Sequence, residues 1–146
     1  MNADETADKV ARAMLAAEGT GPAWGIEIEE AREGYARIRM RMRADMLNGH
    51  RQAHGGMVYA LADTAFAYAC NSRNLRTVGA QATMVFLDAA EEGEILIAEA
   101  QEALLSAAPA STMSACGPIK AEPLRNFKAS PDRSVEPSST WRQGND

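Results

Sequence analysis

The run Asn48-Gly49-His50-Arg51-Gln52-Ala53-His54-Gly55-Gly56 stands directly before a segment with helical apolar spacing. Paired glycines at a helix start leave the first-turn N–H groups bare and approachable, with the positive end of the helix dipole behind them. That arrangement suits a developing oxyanion. Seven residues past Gly56, Asp63 lies about two turns into the same helix, among Leu61, Ala62, Ala65 and Phe66. A carboxylate on such a stretch is costly unless it is hydrogen-bonded, paired or used in chemistry. By spacing alone, a surface carboxylate or a bond to Thr64 accounts for Asp63 as well. His54 and His50, each taken alone, read as loop-fixing histidines. Two histidines four apart, with no matching Cys or acidic spacing, do not make a zinc site, so no metal is expected. No Ser elbow, Walker loop or dinucleotide fingerprint is found in the sequence.

The elements that must position these residues follow from periodicity. Asp4 to Glu18 reads as a helix, with Ala7, Val10, Ala11, Met14 and Leu15 on one stripe, ended by Gly19 and Gly21-Pro22. A strand over roughly Ile26 to Glu30 leads through Glu33-Gly34 into a period-2 segment. There Ala36, Ile38, Met40 and Met42 alternate with Arg37, Arg39, Arg41 and Arg43. One face packs; the other reads as a solvated sheet face rather than an anion-steering surface. The long helix runs to about Asn71. Two further strands are expected over Thr77 to Leu87 and Ile95 to Ala103. Helix, two strands, long helix and two strands predict the α+β class, a helix lying on an antiparallel sheet.

Length and charge bound the function. One domain of 146 residues, 46% apolar and 24% charged, can bury a real core. A net charge of −5 and a pI near 5.1 argue against nucleic acid as a partner. No apolar run reaches the length of about 20 residues that a membrane span needs, so no membrane partner is expected. The opening MNADETADKV has neither a basic segment nor an apolar core, and Cys70 and Cys116 cannot form a disulfide framework; a reducing cytoplasm is the expected location.

Met46-Leu47-Asn48-Gly49-His50, His54-Gly55-Gly56 and Leu61-Ala62-Asp63-Thr64-Ala65-Phe66-Ala67-Tyr68-Ala69-Cys70-Asn71-Ser72 closely resemble the phenylacetate-degradation branch of the hotdog-fold acyl-CoA thioesterases. The resemblance covers about residues 11–103. It implies a long central helix wrapped by a curved antiparallel sheet, and a homo-oligomer, a dimer of dimers, with active sites at the dimer interface. It also implies an enzyme that hydrolyses aryl- or hydroxyphenylacetyl-CoA-like thioesters without a cofactor. Asp63 matches the catalytic carboxylate, a general base on water or a nucleophile on the carbonyl. Gly55 matches the position whose backbone N–H polarises that carbonyl. Asn48 and His54 match residues that shape the site, and Gly56 and Thr64 stand beside it as substrate contacts. One departure is local: after Phe86-Leu87 the family shows Arg-Pro-Ala, where this chain has Asp88-Ala89-Ala90. An anion there repels the coenzyme A phosphates, which leaves a non-catalytic acyl-CoA-binding module as the rival reading.

The larger departure follows Glu102. Residues 105–146 hold five of the six prolines and show no helical or strand period, which predicts an irregular, disordered tail after a hotdog domain over 1–104 that lacks its last strands. The family continues instead with a strand resembling Arg-Arg-Thr-Gly-Ile-Tyr-Asp-Val. Its codons, CGC CGC ACC GGC ATC TAC GAT GTC C, read one base later as GCC GCA CCG GCA TCT ACG ATG TCC. That is Ala107-Ala108-Pro109-Ala110-Ser111-Thr112-Met113-Ser114, the eight residues present. Glu122-Pro123-Leu124-Arg125-Asn126-Phe127, shifted back in the same way, permits Gly-Thr-Val-Thr-Glu-Phe, again a turn and a strand. The expectation is a change of reading frame between about Glu102 and Ala107, and with it a third reading, an inactive product of a frameshifted thioesterase gene.

Overall fold

The computed structural model describes residues 2–79 and 81–102, with the backbone of 120–122. Helix α1 (Ala3–Ala17) starts at Asn2, which the sequence reading passed over. The Asn2 side chain accepts from Glu5 N at 2.8 Å, and Glu5 returns the bond to Asn2 N at 3.0 Å. This reciprocal cap satisfies two of the bare donors of the first turn. Ala7 and Ala11 are buried on the inner stripe. A second helix missed by periodicity, α2 (Thr20–Trp24), follows at once and ends at Gly25, whose φ of 69° favours glycine.

Strands β1 (Glu27–Arg32) and β2 (Tyr35–Arg41) form the expected antiparallel hairpin, with an irregularity in register between Ile28 and Glu30. Ala36, Ile38 and Met40 point into the core, followed by Met42. The arginines face outward, and carboxylates meet them. Glu27 stands opposite Arg39 and Glu99 opposite Arg37 in the strand registers, and both pairs are closed by ion pairs. Arg37 also reaches Glu29 at 2.7 Å, and Arg43 reaches Asp45 at 3.0 Å. The face is a solvated ladder of opposite charges. Its carboxylates raise the pKa of Arg37, Arg39 and Arg43.

After a 3-10 turn (Ala44–Met46), helix α3 (Gly55–Cys70) lays Leu61, Ala65, Tyr68 and Ala69 against the inner sheet face. Ala36, Ala98 and Ala100 lie in the same core. Small side chains across the contact let helix and sheet approach closely. Strand β3 (Ile95–Gln101) pairs antiparallel with β2 over its full length, giving the order β1-β2-β3.

Two expectations require correction. The strand expected over Thr77 to Leu87 is not seen: among the described residues 77–79 and 81–87 enter no ladder, and Val78, Val85, Phe86 and Leu87 are exposed. Alternation makes a strand only where a neighbour offers its edge, and no described strand runs beside this segment. Within the stretch read as irregular, Lys120–Glu122 forms the short strand β4, paired with Ile95 to Ile97 of β3. The rest of the expectation for 105–146, and the frame change itself, lies outside the described residues. No helix among the described residues is long and apolar enough to cross a membrane.

Candidate active site

The loop before α3 is fixed by its own polar groups. The Asn48 side-chain oxygen accepts from His50 N at 2.9 Å and from Gln52 N at 3.2 Å. Asn48 N donates to Gln52 O at 2.8 Å, and Arg51 takes the left-handed φ of 60° that this tight turn requires. Bridges from Leu47 to Ala53 and from Gln52 to Glu91 anchor the loop on its flanks. His54 N donates to Met46 O at 2.9 Å, which delivers His54 to the N-cap of α3.

The cap decides which helix donors remain free. His54 Nδ1 accepts from Gly56 N at 3.0 Å, so a neutral imidazole carries its proton on Nε2. Met57 N and Val58 N both donate to His54 O, at 2.8 and 3.2 Å. The Gly55 N–H makes no hydrogen bond among the described residues, and it points out of the positive end of a sixteen-residue helix with no acidic residue in its first turn. Gly56, expected beside it as a substrate contact, has its N–H engaged by His54.

Asp63 lies on the face of α3 turned away from the sheet, exposed, with no hydrogen bond or ion pair among the described residues. The Thr64 hydroxyl does not hold it; that hydroxyl donates to Ala60 O at 2.8 Å. Asn48, His54, Gly55 and Gly56 are therefore brought together, whereas Asp63 and Thr64 stand two turns along the helix. Eight residues of α-helix rise about 12 Å. A direct attack needs atoms about 3–3.5 Å apart. Within one chain, Asp63 cannot itself attack a carbonyl held on Gly55.

Sequence reading did not single out Phe86 as a neighbour of this site. A methyl group in place of the Gly55 hydrogen would stand 3.3 Å from Phe86 Cζ. Only the alternation that suggested a strand hinted at this ring, and it gave no direction. Other titratable groups nearby serve structure. Tyr68, buried and bonded to Glu18, has its phenol pushed well above its usual range by burial first and by that carboxylate second. Burial likewise raises the Cys70 thiol, which is not poised as a nucleophile. No group of three or more His, Cys, Asp or Glu among the described residues could hold a metal ion.

Residues 50–103 match the thioesterase superfamily. The chain is 46% identical over 91 residues to an acyl-coenzyme A thioesterase of Escherichia coli, PaaI, covering 62% of this chain and 65% of that relative. The solved structure of E. coli PaaI, a protein of the phenylacetic acid degradation operon, matches with a TM-score of 0.71 at 40% identity. It covers 73% of this chain and 77% of that one. The chain belongs to the thioesterase superfamily. A phenylacetic acid degradation protein PaaI of Thermus thermophilus, a single-site mutant, has a TM-score of 0.60 at 36% identity, over 62% of this chain and 77% of that one. The α+β arrangement of α3 on the β1-β2-β3-β4 sheet is the hotdog fold of this superfamily. The chain spans less than two thirds of the length of the E. coli relative, 65% of it. Both Gly55 and Asp63 lie within the matched residues 50–103, and Asn48 just before them.

Proposed function

We propose that this chain is an acyl-CoA thioesterase of the phenylacetate-degradation kind, hydrolysing aryl- or hydroxyphenylacetyl-CoA-like thioesters to the free acid and CoA. The observation that carries the reading is the Gly55 N–H at the start of α3, which has no hydrogen bond among the described residues, in a chain 46% identical to an acyl-coenzyme A thioesterase. The thioester carbonyl oxygen accepts from Gly55 N–H and, as it becomes an oxyanion, gains from the helix dipole. Asp63 serves as general base, taking a proton from water as the water oxygen adds to the carbonyl carbon, or as nucleophile, adding its own oxygen. The tetrahedral species then expels CoA as a thiolate, leaving the free acid where water attacked, or an anhydride on Asp63 that water then hydrolyses to the free acid; the proton taken from water passes to the thiolate.

Because Asp63 and Gly55 of one chain are about 12 Å apart along α3, direct attack takes Asp63 of one copy against Gly55 of another. This supports a homo-oligomer with the site at the interface, and the exposure of Asp63 in the single chain agrees with it. His54 caps α3 and Asn48 holds the loop, so both position Gly55 rather than react.

The test is thioester turnover over a panel of acyl-CoA substrates by the chain and by Asp63→Asn. Release of CoA by the parent, with a loss of at least a hundredfold in kcat for the variant, is expected. Binding of acyl-CoA by both chains without turnover in either would favour the non-catalytic module instead. Equal turnover would remove Asp63 from the mechanism.

A further inference from the structure

Between Thr77 and Ala90 the chain crosses α3 as a strap tied at both ends. Thr77 N donates to the Asn71 side-chain oxygen at 2.8 Å, and Asn71 Nδ2 donates to Thr77 O at 2.9 Å. At the other end Ala53 N donates to Ala90 O at 2.7 Å, and Gln52 bridges Glu91. The strap meets α3 near Phe66, where a methyl group on Gly79 would stand 3.2 Å from Cε1, and again where Phe86 rests on Gly55. Phe66 and Gly55 are separated by about 16 Å of helical rise. Seven extended residues, Gly79 to Phe86, reach about 25 Å at most. The strap has chain to spare, so it is not stretched into the Gly55 contact.

Phe86 is 58% exposed, a large apolar ring left against water beside the one free donor of the helix start. A carbonyl oxygen accepting from Gly55 N–H sits about 2.9 Å from that nitrogen. With the ring 3.3 Å from the Cβ position of Gly55, that carbonyl carbon lies at most about 10 Å from it, within the reach of a short acyl chain. Two groups flank a thioester carbonyl. The CoA side is the polar, amide-rich pantetheine arm. The acyl side is the apolar one.

We propose that Phe86 is a specificity-determining residue: its ring is the apolar wall against which the acyl chain next to the thioester carbonyl lies. This rests on the thioesterase reading above. A wall discriminates by the area it covers, so its contribution grows with the length of chain that touches it.

The experiment compares the parent with Phe86→Ala and Phe86→Leu on straight-chain acyl-CoA esters from acetyl to octanoyl. A thermal melt of each variant accompanies the kinetics. For Phe86→Ala the KM ratio to the parent should rise with chain length, to about tenfold at octanoyl, with kcat moving far less; Phe86→Leu should recover part of the loss. A ratio that is the same at every length, or no change, overturns the proposal. Calorimetric binding of the non-hydrolysable S-octyl-CoA thioether, against CoA alone, reads the wall without turnover. If the parent hydrolyses no thioester, the thioesterase reading fails, and the wall is still decided: tenfold weaker S-octyl-CoA binding by Phe86→Ala supports it, and equal binding sinks it.

Discussion

At His54 one side chain serves both the loop and the helix it precedes. Its backbone is bonded into the loop, and its Nδ1 accepts from Gly56 N, leaving Gly55 as the free donor. Substitution by alanine removes the cap, at about 1 kcal/mol, and opens a second bare N–H beside Gly55. His54→Asn keeps a capping side chain while removing the imidazole. We expect His54→Ala to melt about 3 °C lower and to lose roughly tenfold in kcat/KM, with His54→Asn close to the parent in melting and intermediate in activity. Activity equally impaired in both variants, with melting unaffected, would place the ring itself in the chemistry. The glycines before the helix and the carboxylate within it were legible in the sequence, because caps and bare donors are local. The surroundings of Asp63 were not. A residue exposed on one chain carries no sequence mark of what covers it; of the alternatives open to Asp63 the surface carboxylate is the one seen, and the bond to Thr64 does not form because Thr64 bonds back to its own turn.

Among the elements, alternation was a reliable guide where a neighbour existed. In β2 every second residue is inward, and of the arginines between them Arg37 and Arg39 meet carboxylates across the sheet while Arg41 donates to Gly93 O. The same alternation in 77–87 produced no strand, since strand partners are set by chain far away in sequence. Helix α2 escaped notice because five residues are too few to show a period. The two faces of β2 should respond very differently to truncation. Ile38 is fully buried against α3, and Ile38→Ala leaves a cavity costing about 2–5 kcal/mol. Arg39 is half exposed, its ion pair to Glu27 screened by water, and Arg39→Ala should cost less than about 1 kcal/mol. Urea unfolding of both variants, with unchanged slopes, measures the contrast; equal losses would mean that the outer ladder carries the sheet.

For the molecule as a whole, the described sheet stops short of covering itself. Strand β3 has β2 along one side and β4 only beside Ile95 to Ile97 on the other. Val78, Val85 and Leu87 stand in water, Leu87 at 90% exposure, in a segment whose alternation suits a strand. A sheet edge with unpaired N–H and C=O groups invites association, and each Å² of exposed apolar surface forgoes about 25 cal/mol. A net stability of about 5–15 kcal/mol absorbs little of that. The shifted frame spells the strand with which the family continues directly after β3 in the chain, and a second one after it. We therefore propose that the coding sequence changes frame between about Glu102 and Ala107. Sequencing the DNA across that junction should reveal the family strand in the adjacent frame. A chain with the frame restored should melt at least 10 °C higher than the chain as written. In light scattering it should form a defined tetramer, where the chain as written gives a broad distribution. The restored strands would give β3 a full neighbour and offer 77–87 an edge to pair with, burying Val85 and Leu87. If the chain as written elutes as a sharp tetramer with full thioesterase activity, its own residues beyond Glu102 complete the sheet and the frame change is refuted.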